Sequence, residues 1–370
     1  MSCVASPNRA NACVRWGAQV GIDRSSGCSR VISGSGSEMS TTDPIGVLTT
    51  TRPVIEDAIW VEIDRERVDV VANDFAGRRA EPQEWASTFH FSDGTHRTAT
   101  WVFALDALNF CFWSERPDPG DRWRVAYGDA RVDGYWALAA ALKRAIEAGI
   151  PLWDPAFLAG ITATELVQVL RPADPDGPRI PLFSNRLANL QELGRGLLEF
   201  GGEFAAATLI EAANGSAARL VQEVVRLFPS FDDTATYRGH QVRFYKRAQI
   251  LVSDLAGAFH HEGLGAFADF GQLTAFADYK VPQVLRQLGI LRYHPVLAER
   301  IARCELLPSG SDEEIEIRAA TIWGVEWLRQ ALAAQGRILP ASDIDWLLWQ
   351  AGQELPSGTE PYHRTLTGYY

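Results

Sequence analysis

The chain has 370 residues, 46% of them hydrophobic, which is enough apolar material for one large domain or two ordinary ones. Lys and Arg number 35 against 46 Asp and Glu, a net charge of −11, so the surface repels polyphosphate and lacks the basic footprint of a protein that grips long nucleic acid. A mononucleotide stays compatible, because a single phosphate asks only for a local cationic pocket.

Five cysteines, Cys3, Cys13, Cys28, Cys111 and Cys304, form no metal-ligand spacing, and their odd count fits a reducing, cytoplasmic compartment. No run approaches the roughly 18–20 apolar residues of a membrane span, and no signal-like h-region of about 7–15 apolar residues follows Met1. His260-His261-Glu262 lacks the i, i+4 histidine spacing of a helical zinc site, so no metal and no cofactor is expected. Phosphate-loop and nucleophile-elbow patterns are also missing.

Residues 1–45 are rich in Ser, Gly, Asn and Arg and read as a disordered or non-native extension, leaving a single domain over 46–370. Residues 45–127 are mixed. Segments 54–61 and 68–75 suit helices, whereas 87–91, 98–105 and 110–113 are aromatic and β-branched enough to predict strands. After Gly134 the pattern is helical: 135–148, 155–160, 162–170 with a capping signal at Thr162 and Glu165, 184–201, 217–228, 315–334 and 343–350. The fold expected is mainly α, with a small β-containing N-terminal portion. A tail with three tyrosines, Tyr362, Tyr369 and Tyr370, is expected to dock on the domain.

The stretch 242–282 carries the chemistry. Phe244, Ala248, Leu251, Leu255 and Phe259 recur at helical spacing behind Lys246, a cation at a helix start, where the dipole disfavours it. Downstream, Asp278 precedes a helix whose first turn holds Pro282 and whose end is Gly289. Asp278 alone reads as an N-cap, and Asp254 as an ion-pair partner of Arg247 on one helix face. The alternative is a catalytic carboxylate beside a cation. Asn109-Phe110-Cys111-Phe112-Trp113 is the densest aromatic cluster, either core or a stacking wall for a flat ring.

The lysine-bearing helix followed by Asp278 at a helix start resembles the helix-hairpin-helix DNA glycosylases. The glycine-rich DNA-gripping hairpin is absent, since the approach reads Arg238-Gly239-His240-Gln241-Val242-Arg243. A broader set of motifs resembles the queuosine salvage proteins, which are queuosine 5′-phosphate N-glycosidases. It comprises Asn109-Phe110-Cys111-Phe112-Trp113, Phe228-Pro229-Ser230-Phe231, Tyr245-Lys246-Arg247-Ala248-Gln249, Phe276-Ala277-Asp278-Tyr279-Lys280, residues 314–318 and 346–349, and the ending with His363-Arg364 and Tyr369-Tyr370.

That resemblance implies a mostly helical, DNA-glycosylase-like domain. It also implies hydrolysis of queuosine 5′-monophosphate to queuine, for tRNA modification, and ribose 5-phosphate. A monomer acting on a small nucleotide, with no long nucleic acid or membrane as partner, is expected.

For such a reaction Asp278 is the candidate to stabilise a sugar cation and take a proton from water, with Lys246 beside it. A 7-deazaguanine has no N7 to protonate, so donors such as Asn109 must stabilise the departing ring. Trp113, Trp323, Tyr279 and Phe110 are candidates to sandwich the base, and Lys280 joins the binding set. Asp254 or Glu326 could take the amine, and Lys246, His363 and Arg364 the phosphate. Other readings are a non-catalytic binder of a modified nucleoside and a DNA-repair glycosylase.

Overall fold

The computed structural model describes residues 43–76, 85, 88–114 and 122–370. The predicted N-terminal extension, with Cys3, Cys13 and Cys28, therefore lies outside the described residues apart from its last three positions. The order begins with α1 (Val47–Glu56), β1 (Val61–Ile63), α2 (Arg65–Ala76), α3 (His96–Ala107), β2 (Arg124–Tyr127), β3 (Ala130–Asp133) and α4 (Gly134–Glu147). It continues with α5 (Pro155–Gly160), α6 (Ala163–Val169), α7 (Phe183–Phe200), α8 (Ala205–Ala212), α9 (Ala217–Leu227), β4 (Thr234–Tyr237) and β5 (His240–Arg243). The remainder is α10 (Lys246–Ala258), α11 (Lys280–Gln287), β6 (Leu291–Tyr293), α12 (Pro295–Ala302), α13 (Asp312–Ala334) and α14 (Ala341–Gln353).

The protein is mainly α, as expected. The strands form three antiparallel pairs, β1 with β6, β2 with β3, and β4 with β5. The β4–β5 turn is Arg238-Gly239, both with positive φ (46° and 87°), the geometry that lets a two-residue hairpin follow strand twist. Strands are thus not confined to the N-terminal portion. At Thr162 and Glu165 the predicted capping box is present, each side chain bonding the other residue's backbone N–H. No helix among the described residues is long and apolar enough to cross a membrane.

Three predicted strands are corrected. Residues 98–105 lie inside α3, capped by Thr95 and buried on every side. A helix buried all round has no polar face, so periodicity cannot separate it from a buried strand. Residues 110–113 are not a strand either. Arg186 donates to the carbonyls of Leu108, Phe110 and Cys111, the last two at 2.5 and 2.7 Å, and Cys111 N–H donates to Tyr370 O at 2.7 Å. A guanidinium and the chain's last residue thus satisfy this backbone instead of a neighbouring strand. Residues 88–91 form a turn, and Ser87 is outside the described residues. The first predicted helix, 54–61, is shifted: α1 ends at Glu56 and Val61 opens β1.

Two apolar cores are joined by α13. One face of this helix puts Ile315, Ala319 and Ile322 into the larger core, built on α3, α4, α7, α9 and α10. The other face puts Ile317, Ala320, Val325, Leu328 and Leu332 into a second core with α2, α11, α12 and α14. Between them Arg318 is buried and bonds Asp233 twice, at 3.0 and 2.5 Å, while its Nε donates to Ala277 O at 3.2 Å. Its guanidinium lies over Phe244 and Tyr370, 3.9 and 4.5 Å from the ring centroids. The docked tail is thereby part of the core, with Tyr370 fully covered.

Removing one member of a buried pair strands the other charge in low dielectric. Asp233→Ala is expected to lower the unfolding free energy by about 3–5 kcal/mol, read from urea denaturation; an unchanged midpoint would show that the pair is not structural.

Candidate active site

Asp278 sits where its loop enters α11. Its Oδ1 accepts from the Lys280 and Val281 N–H groups at 2.9 and 2.8 Å, so the cap read from sequence is real. The loop before it is held on three sides. Gln249 bonds Thr274, with Thr274 N–H donating to its Oε1 at 2.8 Å; Asp345 Oδ2 accepts from Phe276 N–H at 2.9 Å; and Arg318 takes the Ala277 carbonyl. Lys246 opens α10 after Tyr245, whose φ of 49° is left-handed. Asp233 accepts the Lys246 N–H at 3.2 Å, and its carbonyl accepts from Phe244 and Tyr245 N–H. The Lys246 ammonium donates to Asn109 O at 3.3 Å.

Between the two cores lies a cavity of about 160 Å³, lined in part by Asn109, Lys246, Asp254, Asp278, Tyr279 and Asp345. Its α10 wall presents Lys246, Ile250, Ser253, Asp254 and Gly257, and its α14 wall presents Ser342, Asp345, Trp346 and Trp349, both at helical spacing. Trp346 and Trp349 are stacked, with centroids 5.1 Å apart. Trp85 stacks on His90 at 3.9 Å, and both also line the cavity. Trp85 Nε1, Trp346 Nε1 and Ser342 Oγ are buried polar atoms without a hydrogen-bond partner among the described residues.

Carboxyl groups crowd this space. Burial raises the pKa of Asp278, opposed by Lys246, by its two N–H partners and by Lys280. Asp345 is pushed well above the usual range by burial and by the charge of Asp278. Asp254 is pushed well above it by burial and by Asp106, and the Tyr135 hydroxyl donates to it at 3.2 Å. Asp106, fully buried behind Asn109, is raised to about 7 by burial. Burial also lowers the Lys246 pKa, against the carboxylates of Asp278 and Asp106. The carboxyls of Asp106, Asp254, Asp278, Asp343 and Asp345 outnumber the cations that act on them, Lys246, Lys280 and Arg247, so low dielectric favours retention of protons in the site. No group of three or more His, Cys, Asp or Glu placed to hold a metal ion occurs among the described residues.

Of the residues singled out from sequence, the structure brings Asn109, Lys246, Asp254, Asp278 and Tyr279 to the cavity. It does not bring the others there. Phe110 is buried beneath the Arg186 and Arg247 guanidiniums. Trp113 packs edge-on against Tyr279, at 4.3 Å, in the small cluster around Tyr370. Lys280 turns to Gln283 and the Tyr362 ring. Trp323 donates to Thr51 beneath Arg52, and Glu326 pairs with Arg329 at 2.7 Å.

The two basic tail residues are held in the scaffold. His363 is buried against the Tyr370 hydroxyl, and burial lowers its pKa to about 3, so it carries no charge at neutral pH. Arg364 donates to the carbonyls of Cys304 and Ser114. Asp254 is not paired with Arg247, whose guanidinium goes to the carbonyls of Asp106, Ala107 and Ser230. Sequence reasoning missed Asp345, Ser342, Trp85, His90, Tyr135 and Asp106. The i, i+3, i+4, i+7 recurrence of Ser342, Asp345, Trp346 and Trp349 was the one available signal.

A family model described as queuosine salvage protein matches residues 89–370. A queuosine 5′-phosphate N-glycosylase/hydrolase of Sphaerobacter thermophilus is 56% identical over 329 residues, covering 89% of this chain and 98% of the relative. Proteins of the same description from Mus musculus and Schizosaccharomyces pombe are 36% and 33% identical, over 88% and 80% of this chain and 99% and 84% of their own lengths. With a cavity built from both halves of the fold, and a family match running from the turn before α3 to the docked tail, the chain belongs to the queuosine salvage protein family.

Proposed function

We propose that the protein hydrolyses the N-glycosidic bond of queuosine 5′-phosphate and releases queuine. The observation that carries this reading is the placement of Asp278 and Lys246 together on the wall of an aromatic, carboxyl-rich cavity, in a chain 56% identical to a relative described by that activity. Cleavage of a base from ribose passes through a sugar with oxocarbenium character. Asp278 is fixed by two N–H bonds through Oδ1, and its Oδ2, without a hydrogen bond among the described residues, is the oxygen to stabilise that cation and to accept the proton of the attacking water.

The faces of Trp346, Trp349 and Tyr279 suit a flat base, and Asn109 supplies an amide at the same wall. Asp254 suits the amine of the queuine side chain, with aromatic faces close by for a cation. Lys246 is the cation on the wall available to the phosphate end. Among the described residues the thiols of Cys111 and Cys304 are free, which suits a reducing cytoplasm.

Asp278→Asn is expected to lower kcat by roughly 10²–10⁴-fold while keeping substrate affinity, measured by queuine release and by calorimetry. Full turnover in this variant would remove Asp278 from the mechanism. Queuosine lacking the phosphate is expected to show a kcat/KM at least about tenfold lower than the nucleotide, the order of one lost charge-assisted hydrogen bond; equal values would rule out a phosphate contact.

A further inference from the structure

Asp345 has no role in the reaction as described so far, yet it stands on the same cavity wall as Asp278. Its Oδ2 accepts the N–H of Phe276, two residues before Asp278, so one carboxyl braces the loop that carries the other. Asp278 has two N–H donors on a single oxygen; Asp345 has one. The remaining oxygen of each makes no hydrogen bond among the described residues.

Facing Asp345 are Asp278 from the loop before α11 and Lys246 from α10, with Asp343 on its own helix. Around it, α11 supplies Val281, Val284 and Leu285 to the core shared with Ile344 and Leu348 of α14, and α13 supplies Val325, Leu328 and Leu332. Lys280, at the start of α11, runs along α14 at Gly352. Two N–H donors thus hold Asp278 and one holds Asp345; the charge of Lys246 acts on both, that of Lys280 on Asp278, and the charge of Asp278 bears on Asp345. Of the other carboxyls, Asp106 is off the wall, Asp254 is engaged by Tyr135, and Asp343 lies near His261.

We infer that Asp345 is the general acid of the site, giving its proton to the departing base while ionised Asp278 takes a proton from water. This rests on the N-glycosidase reading. The C1′–N bond breaks with its electron pair going to the base, and the Asp345 proton goes to the pyrimidine edge or carbonyl of that base, since a 7-deazapurine has no N7. The water oxygen bonds to C1′ and its proton goes to Asp278. Transfer of that proton from Asp278 to Asp345 restores both carboxyls, and water, nucleotide, base and sugar phosphate balance. The direction of each group's shift agrees: both are raised by burial, and the charge of Asp278 raises Asp345 further.

The test compares Asp345→Asn and Asp278→Asn on two substrates, queuosine 5′-phosphate and 4-nitrophenyl β-ribofuranoside 5-phosphate, whose leaving group needs no proton. Asp345→Asn is expected to lose about 100-fold or more on the nucleotide, to lose the alkaline limb of the kcat/KM profile, and to stay within about tenfold of wild type on the nitrophenyl riboside. Asp278→Asn is expected to fail on both. Queuine binding by Asp345→Asn at wild-type affinity establishes that its pocket is intact. Equal losses on both substrates, no loss on the nucleotide, or an unchanged alkaline limb overturns the assignment, and if wild type does not turn over the riboside the alkaline limb decides alone. A wild-type enzyme that releases no queuine would instead overturn the activity reading.

Discussion

The buried pair of Arg318 and Asp233 is the interaction on which the rest of the structure turns. Removing a guanidinium and a carboxylate from water is costly, and their attraction compensates only when the geometry is good and the remaining donors are used. Here two charge-assisted bonds, the Ala277 carbonyl and two aromatic faces meet that condition. The pair stands at the seam of the two cores and reaches both halves of the site. Asp233 holds the start of α10 and hence Lys246; the bond to Ala277 holds the residue before Asp278. A displacement of α13 would move the lysine and the aspartate together.

That frame allows an arrangement unfavourable in isolation. Like charges at low dielectric repel, and a cavity wall with Asp254, Asp278, Asp343 and Asp345, backed by Asp106, gathers more carboxyls than cations, against the rule that buried charges are matched. Folding tolerates it because protons, capping N–H groups and the packed scaffold share the cost. The same imbalance suits a cationic substrate and a reaction that develops positive charge on a sugar.

The legibility of the fold followed the physics of each segment. The amphipathic helix α9 was readable because one face is wet and the other dry, α10 because its apolar stripe faces the core while its other face lines the cavity, and α5 and α6 because Pro155 and the Thr162–Glu165 box mark their starts. The α3 segment was not, because its β-branched and aromatic residues are buried all round. Aromatic residues misled for a related reason. Phe110, Trp113 and Trp323 are dry because they cover buried guanidiniums or complete the cores, and composition does not distinguish a ring facing protein from one facing a ligand.

Local sequence thus determined what depends on neighbours along the chain: the helical class, the capped start of α11 with Asp278 at its positive end, and Lys246 at the head of an amphipathic helix. Pairing across the fold was decided only by tertiary structure. It set Asp345 beside Asp278, fixed Arg364 and His363 in the scaffold and not in the cavity, and turned Asp254 from Arg247 toward Tyr135. The reason is reach. A cap or a helical stripe is written within a few residues, whereas the field that tunes a carboxyl comes from charges far away in sequence that folding brings together at low dielectric.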